Sequence, residues 1–142
     1  MLVVGYGSDL RGDDAVGRRA AEAVAARRLP GIRVLSVPQL TPELAAEFAG
    51  CRCVVFVDAS VADQTVHQRT LRASSLDSRL THHVAPESLL AFGTVLGFAP
   101  GEAFVVTIPA THLELGTQLS AGAAAAMDEA VQCIIALCGE TS

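Results

Sequence analysis

Tryptophan is absent, tyrosine occurs once and phenylalanine five times. So few aromatics argue against a platform on which bases stack. Positive charge is scarce as well: Lys+Arg number 10 against 15 Asp+Glu, a formal net charge of −5. Nucleic-acid affinity rests on clustered cations. Only Arg18-Arg19 and Arg27-Arg28 are adjacent here, so no nucleic-acid partner is expected. Four cysteines occur, Cys51, Cys53, Cys133 and Cys138, without the C-x-x-C spacing of a zinc or redox site. They are read as small hydrophobes in a reducing compartment. No charged leader precedes an apolar core, and no apolar run approaches the ~20 residues that span a bilayer. A soluble cytoplasmic protein that makes no membrane contact is expected.

What is present is a 142-residue chain, 51% hydrophobic. That length favours one domain, spanning 1–142, with enough core to fold without disulfides. Apolar strands alternate with helical patterns. MLVVGYG opens as a buried strand, and about Asp13 to Arg28 follows as a helix stopped by Pro30-Gly31. Ile32–Val37 alternates as a strand. Thr41 is placed to cap a helix that starts at Pro42 and ends at Gly50. Cys53–Ser60 is a β-branched run of the kind buried on both faces. An edge strand is expected within VHQRTLRAS, and a helix from Pro86 through ESLLAFGTVLG. The strand Ala103–Pro109 and an alanine-rich helix from about Thr117 to Cys138 complete the chain. The implied fold is α/β, a three-layer sandwich with a mostly parallel central sheet flanked by helices. Right-handed crossovers give the strand order 2-1-3, with a ligand crevice where the ends of the first and third strands meet.

Asp14, just past the first glycine loop, and Asp58, at the end of VVFVD, both fall at that crevice. Consecutive helical side chains diverge by about 100°, so only one of Asp13 and Asp14 can face it squarely. Asp13 is read as the cap or first-turn acid. Two unpaired carboxylates in one crevice repel, and a cation between them would remove that cost. His82 and His83, in the loop THHVAP, offer an imidazole, whereas His67 and His112 are read as solvated. Two carboxylates and one imidazole suit Ni²⁺ or Zn²⁺, and three ligands leave a position open. The loop GYGSDLRG fits neither G-x-G-x-x-G nor the Walker pattern. Its glycines Gly5, Gly7 and Gly12, and Gly17 beyond it, are read as permitting turns and close packing instead. No G-x-S-x-G elbow occurs.

GYGSDLRGDDAVG resembles the N-terminal signature of the hydrogenase maturation proteases. QLTPEL, VVFVDAS, THHVAPESLL and TIP followed by LGTQLSAG resemble the same family in the same order. The resemblance implies an α/β endopeptidase; a monomer is expected. It would remove a C-terminal peptide from the precursor of a nickel–iron hydrogenase large subunit after nickel insertion. The nickel would arrive inside that precursor. Carried over by motif, the metal-contacting residues fall on Asp14, Asp58 and His82, with the spacing to SLL favouring His82 over His83. Ser8 stands where many relatives carry Asn, and Asp14 where some carry Glu. The PQLTPEL segment resembles the subgroup serving cytoplasmic hydrogenases. Two other readings stay open: a non-catalytic nucleotide or flavin binder, and a nickel-handling accessory protein.

Overall fold

The computed structural model describes residues 1–8, 10, 12–73, 84–111, 116 and 118–141. Its strands are β1 (Leu2–Tyr6), β2 (Arg33–Val37), β3 (Cys53–Ser60), β4 (His67–Thr70) and β5 (Glu102–Pro109). They form one sheet in the order β2-β1-β3-β5-β4, parallel except for β4. The expected order 2-1-3 is therefore present, and the HQRT segment is the antiparallel edge. Helices cover both faces. On one face α1 (Val16–Ala26) and α3 (Ala121–Thr141) close a core of Val3, Val55, Val57, Val106, Ala20 and Ile134. On the other, α2 (Pro86–Val95) and a 3-10 segment, Pro42–Phe48, cover Leu2, Val4, Val54, Phe56 and Val105. Phe48 meets Phe56 edge-on, with ring centroids 6.0 Å apart. β3 is buried on both faces from Cys53 to Val57, as its unbroken apolar run requires.

Three elements differ from expectation. The first helix begins as a 3-10 turn, Gly12–Ala15, and becomes α-helical only at Val16. Pro42–Phe48 stays 3-10 rather than α, and Thr41 makes no cap. The Thr41 hydroxyl bonds the Glu43 carboxylate instead. α3 starts at Ala121 because Ser120 turns the chain: its hydroxyl accepts from the Ala123 N–H at 3.1 Å. Ala121–Gly139 is also long and apolar enough, by composition, to cross a membrane, contrary to the sequence reading. Its Ala123, Ala130, Val131, Ile134 and Leu137 pack into the core beside α1.

The cysteines are free thiols, Cys53 buried and the other three half-buried. Cys51 donates to the Glu47 carbonyl, and Cys133 to the Gln68 side chain.

The contact that seats α1 has no side chain in it. A Cβ at Gly17 would lie 2.4 Å from the Val57 carbonyl oxygen, and one at Gly5 would lie 2.5 Å from the Gly17 carbonyl oxygen. Backbone therefore touches backbone. Gly17→Ala should cost about 2 kcal/mol or more, since neither backbone can yield. Gly122→Ala, where a Cβ meets nothing within 4 Å, should be neutral or gain up to about 1 kcal/mol. Urea unfolding of the two variants checks the contrast.

Candidate functional site

Parallel pairing of β1 with β3 aligns Gly5 with Val57, so Tyr6 and Asp58 follow side by side on neighbouring strands. Both belong to the strand face of Leu2, Val4, Val54 and Phe56. Past β1 the chain turns at Gly7, whose φ is 141°. A Cβ there would fall 1.9 Å from the Asp14 carbonyl oxygen. The turn thus brings the start of the helix back over the strand ends. Asp14 then stands beside Asp58 in a crevice of about 520 Å³. Ser8, Gln39, Leu40 and Val84 also line it, with Pro38 and Pro86.

The two carboxylates are held from behind. The Ser8 N–H donates to Asp14 Oδ2 at 2.7 Å. Asp58 accepts from the Tyr6 hydroxyl and the Ala59 N–H. Burial nevertheless pushes the Asp58 carboxyl up to about 6; its two hydrogen bonds oppose the rise and the nearby charge of Asp14 adds to it. Burial, with the Asp58 charge next, pushes the Tyr6 hydroxyl up, so it stays a donor. An acidic crevice of this kind favours a cation and repels a phosphate. Among the described residues of the glycine turn, the amides of Gly7, Ser8, Leu10 and Gly12 already donate within the protein, unlike the free donors of a phosphate cradle.

Asp13 has a different task from the one expected. It is fully buried and caps neither the 3-10 turn nor α1. Its Oδ1 accepts from the Ser120 N–H at 2.7 Å. Its Oδ2 accepts from the Thr111 N–H and the Ser120 hydroxyl, both at 2.8 Å. It therefore ties the crevice loop to the segment between β5 and α3. Paired bonds between the Gly12 N–H and the Gly116 carbonyl, and the Gly116 N–H and the Leu10 carbonyl, reinforce the tie.

Among the expected site residues, Asp14 and Asp58 are brought together. His82, its neighbour His83 and His112 lie outside the described residues. Val84, Ala85 and Pro86, which follow His83 in sequence, line the crevice. No group of three His, Cys, Asp or Glu that could hold a metal occurs among the described residues. The fit to a cation thus rests on two converging carboxylates. His67 is solvent-exposed on β4, as expected, about 4.0 Å from Asp63. Tyr6 went unnoticed in the sequence reading. The signal was there in its strand parity, which matches that of Asp58 once β1 and β3 are paired.

No family model matches the sequence, and no curated protein matches it at a significant level. Solved structures do match. The hydrogenase maturating endopeptidase HybD from E. coli superposes with a TM-score of 0.79 at 21% identity, covering 99% of this chain and 93% of that one. A hydrogenase 2 maturation peptidase from Thaumarchaeota archaeon SCGC_AB-539-E09 matches at 26% identity and a TM-score of 0.73, covering 97% of each chain. A [NiFe] hydrogenase maturation protease, HybD from Thermococcus kodakarensis, matches at 24% and 0.71, covering 96% of this chain and 97% of that one. The fold is the one these endopeptidases share. The sequence motifs and the solved structures point to the same family.

Two consequences can be measured. Asp58 has a folded pKa above the unfolded carboxylate value of 3.8, so ionised Asp58 lowers stability. That penalty is absent below about pH 4, develops as pH rises to about 6, and stays constant above. Asp58→Asn should therefore gain about 3 kcal/mol at pH 7.5, and the gain should vanish near pH 4, as read by denaturant unfolding at both. Asp13→Asn should lose about 1–3 kcal/mol at neutral pH, because an amide offers one acceptor oxygen where two backbone N–H groups point.

Proposed function

We propose that this chain is a hydrogenase maturation endopeptidase that removes the C-terminal peptide from a nickel–iron hydrogenase large-subunit precursor once nickel is in place. The observation that carries this reading is the meeting of Asp14 and Asp58 in one crevice, at the switch point of a sheet matching that of known maturation endopeptidases. In this reading the nickel is part of the substrate. Asp14 and Asp58 supply two oxygen donors to it and His82 an imidazole nitrogen, so the precursor is gripped only when it carries the ion. A metal ion held against a peptide can polarise its carbonyl or activate water. The chain's own contribution is to fix the donors, through Ser8 behind Asp14 and through Tyr6 and Ala59 behind Asp58, and to line the approach with Pro38, Leu40, Val84 and Pro86. We take the enzyme to be a cytoplasmic monomer. A nucleotide or flavin binder is disfavoured by the acids at the crevice.

Purified protein mixed with nickel-loaded and nickel-free precursor should shorten only the loaded form, as read by intact mass. Asp14→Asn, Asp58→Asn and His82→Gln should each slow processing by more than about 100-fold, beyond what loss of an outer-shell partner costs. Circular dichroism should show each variant folded. Equal shortening of both precursors would remove nickel from the reading, and shortening of neither would remove the protease.

A further inference from the structure

Tyr6 is the single tyrosine of the chain; it ends β1, beside Asp58 on the neighbouring β3, and lines the crevice with both acids. A largely buried phenol needs a hydrogen-bond partner, and Asp58 is the one it has. Asp58 lies two residues before the end of β3, opposite Thr107 of β5; that pairing fixes its backbone but not the direction of its carboxylate. The strand parity of Tyr6 makes the bond possible. A residue one place earlier or later on β1 would point to the other face of the sheet. With Tyr6 and the Ala59 N–H occupying lone pairs on Asp58, its remaining lone pairs are free for the crevice. Ser8 performs the corresponding service for Asp14 through a backbone N–H. That donor is independent of residue type, whereas the one on Asp58 depends on a side chain.

We infer that Tyr6 is a positioning residue: its hydroxyl orients the Asp58 carboxylate toward whatever occupies the crevice. The inference rests on the proposed processing reaction for its kinetic consequence, but the hydrogen bond can be tested without it. Tyr6→Phe keeps the ring and removes the donor. In the free protein at pH 8.5, the carboxyl-carbon resonance of Asp58 should move in this variant while that of Asp14 stays. With nickel-loaded precursor, kcat should fall about 10- to 100-fold, the range typical of a lost outer-shell partner. KM for the precursor should stay within about 2-fold, since the binding surface is unchanged. Tyr6→Leu, which also removes the ring, separates the hydroxyl from its packing.

A Phe variant as slow as the Leu variant, with the Asp58 resonance shifted, supports the assignment. A Phe variant at the unaltered rate, or an unmoved Asp58 resonance, overturns it and leaves the protease reading intact. A loss confined to the Leu variant assigns Tyr6 to packing and overturns it too. Failure of the unaltered chain to process loaded precursor overturns the protease reading and with it the kinetic role of Tyr6.

Discussion

The site depends on one contact, the backbone of α1 at Gly17 lying directly on the backbone of β3 at Val57. Gly17 is three residues after Asp14, and Val57 immediately precedes Asp58. Seating the helix at this distance therefore fixes both acids relative to each other, although 44 residues separate them in the chain. A side chain of any size at position 17 would lift the start of the helix, and Asp14 with it. The same constraint acts at Gly7, where the turn must pass within contact of the Asp14 carbonyl. The loop glycines serve close approach of protein to protein. That is why a glycine loop after a strand here need not signal a phosphate.

Two adjacent acids divide the work. Asp13 turns inward and is satisfied by donors from Thr111 and Ser120. Its charge is offset by three good hydrogen bonds, so it stabilises the fold. Asp14 turns outward with one internal donor and leaves its other lone pairs to the crevice. The difference is one of direction around the turn. It makes Asp13 a strut for the loop that presents Asp14.

Much of this was legible in the sequence because it depends on local pattern. β-branched runs marked the strands, crossover handedness ordered the first three, and strand ends located Asp14 and Asp58. What escaped depends on distant partners. The ligands of Asp13 lie 98 and 107 residues away, so capping appeared the simpler role. Tyr6 read as one more apolar strand residue, because its meaning depends on the register of β1 against β3. The sequence reading also passed over α3, whose Ala121–Gly139 is long and apolar enough to cross a membrane, although its larger side chains fill the core.

The crevice is built at a cost in stability. Ionised Asp58 is disfavoured by burial and by Asp14, and the hydrogen bonds behind it only partly offset this. A fold would lose such a pair unless something it binds returned the energy. On the proposed reading a precursor carrying nickel does so, since a divalent ion between the two oxygens converts repulsion into attraction in a partly dry site. A precursor lacking the ion brings only peptide, and the repulsion remains. Discrimination then comes from the attraction that only the ion-carrying precursor gains, because a repulsion present in both the free protein and the metal-free complex cancels. The instability of the empty crevice and its selectivity would have the same electrostatic origin. Relieving the first by Asp58→Asn should abolish the second.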